Sequence, residues 1–90
     1  MKISSFDIAE HLETDEDIRD FLIEVASDGD ESDLIHALNI AARAKGMTTV
    51  AERAGVTRAS LYKSLSEDGN PKFATINKIV SSFGCRLAVI

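Results

Sequence analysis

The sequence has one cysteine, one proline, no tryptophan and no long uninterrupted apolar run. A single cysteine cannot form an internal disulfide, so the composition excludes a small secreted domain held together by disulfides. No basic segment followed by an apolar run opens the chain, and no stretch is long enough to span a bilayer. We therefore expect a soluble cytoplasmic protein with no membrane partner. The single proline leaves room for several uninterrupted helices.

The sequence also has few residues of the types that serve in catalysis or metal binding. His11 and His36 are the only histidines, and together with one cysteine they do not reproduce the spacing of a metal site. A nucleophilic pair of Cys85 and His36 stays open on the sequence alone, but Cys85 follows a glycine and is typical of a small buried apolar residue. The acidic cluster at 28–33 lacks the twelve-residue spacing of an EF-hand loop. We predict that the protein is not an enzyme and has no catalytic residues, metal or cofactor.

Charge is divided unevenly along the chain. Residues 1–34 carry twelve acidic and two basic side chains, a net charge of -10, whereas residues 35–90 carry eight basic and three acidic ones, a net charge of +5. Such asymmetry predicts two surfaces with different partners. An acidic solvated arm that only improves solubility is the alternative.

Ninety residues, 44% of them apolar and mostly aliphatic, suit one domain over 1–90 without repeats or linkers. We expect three regions in it: an acidic N-terminal helical region at 1–31, a helix-turn-helix core at 32–84 and a C-terminal strand or tail at 85–90. The first six residues and the tail are β-prone, so a minor β-strand at each terminus is included as an option.

Capping residues predict where the helices begin and end. Thr14 and the three acids after it predict a helix start, because a hydroxyl can accept from free N–H groups and acids favour the positive end of the helix dipole. Ser32 is predicted to cap the next helix and Gly46 to end it. Apolar residues at helical spacing over 76–83 predict a last helix that Gly84 stops. The result is an all-α domain of five or six helices.

The segment AERAGVTRASLYKSLS, at 51–66, predicts two short helices that meet at a glycine. In a helix-turn-helix the first helix needs a small residue at the crossing point, which Ala51 supplies. The turn needs a positive φ, which Gly55 adopts without a Cβ penalty. Val56 would fill the gap between the helices, and Leu61 would anchor the second one.

These two helices are expected at 49–54 and 58–66. Thr49, with a glutamate three residues on, fits a capping box, and Thr57 can cap the second helix. The outward face of the second helix would carry donors suited to phosphates and base edges: Arg58, Ser60, Tyr62 and Lys63. A helical hairpin with no role in DNA binding is the alternative.

Residues 42–89, ARAKGMTTVAERAGVTRASLYKSLSEDGNPKFATINKIVSSFGCRLAV, resemble the addiction-module antidote proteins. These are small antitoxins with a lambda-repressor-like (Xre-type) helix-turn-helix, in the same broad class as HigA-type antitoxins. The stretches AKGM, R-x-S-L-Y-K-x-L-S and GNP-x-F-A-T carry the resemblance. The acidic leader DIAEHLETDEDIRDFLIEVASDGD extends it over nearly the whole chain.

The resemblance implies a lambda-repressor-like domain with two partners. One is a cognate basic toxin, a ribonuclease-like protein of the RelE/ParE superfamily (HigB-like), which the protein neutralises by direct binding. The other is operator DNA of its own operon, which it represses as a homodimer, since two half-sites mirror a two-fold protein. The dimer contact is expected in the tail at 86–90 or near Phe83, although either stretch could instead close the monomer core.

Carried onto this sequence, the recognition residues are Thr57, Arg58, Ser60 and Lys63, with Tyr62 at the edge of the face. The wider repressor class often has a phosphate-binding glutamine where the first helix of the motif begins, a place that falls near Met47 here. The backbone contact is therefore expected from Thr48, Thr49 or Lys72. The alternative function is a protein-interaction module that inhibits a toxin and has little DNA affinity of its own.

Overall fold

The computed structural model describes residues 5–66 and 69–87, with the backbone alone for residues 5–7. Within these ranges the chain forms six α-helices and no strand, so the predicted all-α fold is confirmed. The helices are α1 (Ser5–His11), α2 (Asp15–Asp28), α3 (Glu31–Lys45), α4 (Met47–Ala54), α5 (Arg58–Ser64) and α6 (Phe73–Ser82). No helix in these ranges combines the length and the apolarity needed to cross a membrane.

A strand was predicted as an option at each terminus, in the first six residues and in the tail at 85–90. The structure describes only part of these two segments. Residues 1–4 and 88–90 lie outside the described residues. Ser5 already belongs to α1, and residues 85–87 are irregular rather than extended into a ladder. A strand is therefore wrong for the described ends of both segments.

Thr14 caps the start of α2, as predicted, and the cap is reciprocal. The Thr14 hydroxyl accepts from the Asp17 backbone N–H at 3.0 Å, and the Asp17 carboxylate accepts from the Thr14 N–H at 3.1 Å. Both bonds satisfy N–H groups near the helix start that have no partner within the helix.

The start of α3 differs from the prediction. Asp30, not Ser32, is the N-cap residue: its carboxylate accepts from the Asp33 N–H at 2.9 Å, and the Asp33 carboxylate accepts from the Asp30 N–H at 3.0 Å. Ser32 lies inside the first turn. The prediction at Ser32 was wrong because a pair of aspartates three residues apart supplies both halves of the cap two residues earlier.

Gly46 ends α3 as predicted, with φ of 110°, and α4 begins at the next residue. The predicted capping box at Thr49 was wrong, because Thr49 lies within α4 and that helix has no side-chain cap. Met47 is 7% exposed in the core, so the helix starts early enough to bury it. At the other end of the motif, α5 stops at Ser64 rather than at Ser66.

The core lies around α3, which packs against α1, α2 and α4. Four large side chains from four different helices are the most completely buried: Leu38, Val50, Leu61 and Ile79. Ile18 and Leu22 bring α2 into the same buried cluster. Burial of this shared apolar surface is the main force that assembles such short helices.

Two polar contacts tie distant segments to α3. The Asn39 side-chain amide donates to the Leu65 carbonyl at 2.9 Å and so fixes the end of α5. The Lys45 ammonium lies 2.6 Å from the Asp15 carboxylate and joins the end of α3 to the start of α2. That hydrogen bond lowers the pKa of the Asp15 carboxyl, with smaller contributions from the charges of Lys45, Arg53 and Arg19.

The cap assignment gives a direct test. Asp30→Ala should lower the free energy of unfolding by about 1 kcal/mol, because it removes the side-chain half of the α3 cap. Ser32→Ala is the matched control and should change stability by less than about 0.5 kcal/mol. Urea unfolding followed by circular dichroism measures both. A larger loss at Ser32 than at Asp30 would contradict the assignment.

Candidate nucleic-acid interface

The turn between α4 and α5 has the geometry that the sequence predicted. Gly55 lies in the left-handed region with φ of 72° and ψ of 32°. The Val56 N–H donates to the Ala51 carbonyl at 3.0 Å, and the Gly55 N–H donates to the Glu52 carbonyl at 3.2 Å. This pair of bonds is a Schellman motif, which satisfies carbonyls at the end of α4. Ala51 is buried, and Val56 is half-buried against the core beside it.

The start and the inner face of α5 also agree with the prediction. The Thr57 hydroxyl accepts from the Ser60 N–H at 3.0 Å and caps the helix. Leu61 is fully buried, so the helix is held with one side against the core. The residues proposed for the outward face are all exposed: Arg58, Ser60, Tyr62 and Lys63.

Arg58 joins the two helices of the motif across their outer surface. One guanidinium nitrogen lies 3.4 Å from the Thr48 hydroxyl on α4, and another lies 3.3 Å from the Tyr62 hydroxyl on α5. The guanidinium carbon lies 5.6 Å from the centre of the Tyr62 ring, within the range of a cation–π contact. Because a guanidinium has five N–H donors, these two contacts orient Arg58 and leave donors for a ligand.

The other two residues proposed for phosphate contacts lie in different surroundings. Thr49 is half-buried within α4, next to Gly46, whereas Lys72 is exposed immediately before α6. Among the described residues, no hydrogen bond joins either of them to Arg58. Of the three alternatives, only Thr48 forms a hydrogen bond with the recognition helix in the described part of the chain.

Three features of the structure were not predicted from the sequence. The Arg58–Tyr62 contact follows the i, i+4 spacing on a helix and could have been found from it. The Thr48–Arg58 contact depends on the crossing of two helices and has no local signal. Phe73, at the start of α6, is 73% exposed, which its apolar character alone did not indicate.

Charge on the motif is mixed rather than uniformly basic. The charged side chains of α5 are Arg58 and Lys63, while α4 carries Glu52 and Arg53. Arg53 lies in the last turn of α4 and is not among the residues proposed to contact DNA. The cations of the candidate interface are thus those of α5, with Lys72 on the segment that precedes α6.

Side chains that could share a metal ion are not brought together in the described part of the chain. No group of three histidine, cysteine, aspartate or glutamate side chains there is placed to hold a metal ion. Cys85 is half-buried, and this burial raises the pKa of its thiol. A raised pKa disfavours the thiolate, which is the nucleophilic form.

Comparison with known proteins identifies one family model and one relative. A family model described as "probable addiction module antidote protein" matches residues 2–90. An uncharacterized protein of Haemophilus influenzae is 38% identical over 88 residues, which cover 98% of this chain and 91% of the relative. No solved structure matches.

The left-handed turn can be tested by substitution. Gly55→Ala should lower the free energy of unfolding by about 1–2 kcal/mol, because an L-residue is strained at this φ. A Cβ at this position would meet no atom within 4 Å, so the loss would come from the backbone alone. Gly55→Asn is the matched variant and should cost less, since asparagine tolerates the left-handed region better. Equal stability of Gly55→Ala and the wild type in thermal unfolding would contradict this geometry.

Proposed function

The chain belongs to the family of probable addiction module antidote proteins, and on that premise we propose that it is the antitoxin of a type II toxin–antitoxin module and represses its own operon. The observation that carries the DNA-binding half of this proposal is the position of Arg58. It lies exposed where α4 and α5 meet, and contacts from both helices orient it.

In this proposal α5 enters the major groove. Arginine is suited to the O6 and N7 acceptors of guanine, and Lys63 on the same helix would contact a guanine edge or a phosphate. Thr57 and Ser60 would fix the start of α5 on the backbone, with Tyr62 at the edge of the face. Thr48 is the best placed of the α4 residues for a phosphate contact, followed by Thr49, and Lys72 would reach the backbone from the segment before α6.

The toxin-binding half rests on the family and on charge. We propose a basic partner of the RelE/ParE superfamily (HigB-like), neutralised by direct contact with the acidic N-terminal third. Residues 1–34 carry a net charge of -10, and a surface of one sign steers a partner of the opposite sign by long-range attraction. A homodimer in the cytoplasm would match an operator with two half-sites.

A protein-interaction module with little DNA affinity is the second candidate. The observation that favours it is the small number of bases on the motif, set against a net charge of -5 for the whole chain. The two candidates differ in salt dependence, because each phosphate contact releases counterions when DNA binds.

The proposal predicts the effect of removing the two bases of α5. Arg58→Ala with Lys63→Ala should weaken binding to a duplex from the gene's own upstream region by at least about tenfold. The slope of log affinity against log salt should become less negative by about 1 for each phosphate interaction that the substitutions remove. Fluorescence anisotropy at about 50 and 200 mM salt, with a scrambled duplex for comparison, measures both effects.

The matched control is Arg53→Ala with Lys78→Ala, which removes the same charge from exposed positions of α4 and α6 that are not among the proposed DNA contacts. Selective binding should survive in this control. An equal loss of DNA affinity in both double variants would show that binding depends only on the net charge of the protein. Wild-type protein that does not distinguish the two duplexes would favour the protein-interaction module.

A further inference from the structure

An open groove lies among α1, α2 and α3, in the part of the chain that carries most of the acids. Its volume is about 740 Å³. The floor is apolar: Ala37 and Ile40 of α3 are buried, and Phe21 and Val25 of α2 are half-buried, with Ile8 of α1 at one side. The apolar surface that this floor offers to solvent comes mainly from the half-buried Phe21 and Val25.

The rim of this groove is acidic. Glu24 and Asp28 line it from α2 and Asp33 from α3, and all three are exposed. Asp33 is already engaged in the cap of α3. Glu24 and Asp28 are one helical turn apart, and neither forms an ion pair with a cation in the part of the chain that the structure describes. Like charges at this spacing destabilise a helix, so a cation bound between them would relieve a repulsion.

These two properties together define the kind of partner. An acidic rim repels phosphate groups and therefore disfavours nucleic acid. An apolar floor favours a ligand that brings apolar side chains, and the rim favours cations on either side of them. A basic amphipathic helix combines both on one short segment, and grooves between helices are a recurrent site for such segments.

A second depression gives a useful contrast. It lies on the other side of α2, beside the exposed Ile23, and has a volume of about 80 Å³. Its floor is also apolar, but Arg86 rather than an acid lines it. Apolar surface is thus present on both sides of α2, whereas the acidic rim is a property of the large groove.

We propose that the groove formed by Phe21, Val25, Ala37 and Ile40, with Glu24 and Asp28 at its rim, binds a cationic amphipathic segment of the toxin. This inference rests on the proposed antitoxin function and assigns a surface to it. None of these residues belongs to α4 or α5, so the toxin-binding and DNA-binding residues are separate sets.

A defined peptide tests the groove on the full chain. The probe is a peptide of about 14 residues, four helical turns, with leucines on one face and lysines on the other. Titration into ¹⁵N-labelled protein should give saturable binding, with the largest amide shifts at the residues that line the groove. A peptide with glutamate in place of lysine should not bind. Shifts confined to the Ile23 side, or no binding of the lysine peptide, would overturn the proposal.

Two matched double variants test the acidic rim. Glu24→Gln with Asp28→Asn should weaken peptide binding by about fivefold or more, since two charge interactions are removed. Glu16→Gln with Asp20→Asn removes the same charge from exposed positions of α2 that do not line the groove, and should leave affinity nearly unchanged. Ile23→Ser should have no effect. Equal losses in the two double variants would overturn the proposal.

Two further measurements separate this inference from the function on which it rests. If the amide shifts of the groove residues depend on protein concentration in the absence of peptide, a second copy of the chain occupies the groove. That result would overturn the proposal. The same preparations are also titrated with the upstream duplex. If the protein still selects that duplex but does not bind the peptide, only the groove assignment is wrong. Peptide binding without selectivity for the duplex removes the autorepressor function and leaves the groove assignment standing.

Discussion

The tight reversal of the chain at Gly55 is the constraint on which the candidate interface depends. Leu61 can be buried only if α5 turns back onto the core within three residues of the end of α4. That turn requires φ of 72°, which favours glycine. With Leu61 buried, Arg58 at the first position of α5 and Tyr62 both remain exposed, and the short crossing brings Arg58 to Thr48. Arg58 of the proposed recognition helix is therefore oriented by the same geometry that buries the core.

Helix α3 is the element that both proposed surfaces share. Its residues Ala37 and Ile40 form part of the floor of the acidic groove, and its Asn39 side chain fixes the end of α5. At its C-terminus, Lys45 holds the start of α2. The uneven charge of the sequence thus corresponds to two regions of the structure. Acids line the rim of a groove on α2 and α3, whereas bases lie on α5. An antitoxin that also represses transcription needs two such surfaces on one small chain.

Local signals account for what the sequence predicted correctly. The caps at Thr14 and Thr57, and the glycines at 46 and 55, depend on neighbours within a few residues and were found from spacing alone. Ser32 was wrong as a cap because a reciprocal aspartate pair caps α3 two residues earlier. Thr49 was wrong because α4 begins at the buried Met47 and has no side-chain cap. The Thr48–Arg58 contact had no sequence signal, since it depends on how two helices pack together. The charge asymmetry predicted an acidic surface in the N-terminal third, but the groove depends on the packing of α1, α2 and α3.

Hydrogen exchange of the full chain with its own upstream duplex shows whether α4 and α5 form the DNA surface while α2 remains available to another partner. We expect slower exchange across α4 and α5 with the specific duplex, no such change with a scrambled duplex, and unchanged exchange across α2. Protection across α2 with no change in α5 would contradict this expectation, because the acidic side of the molecule would then be the surface that meets DNA.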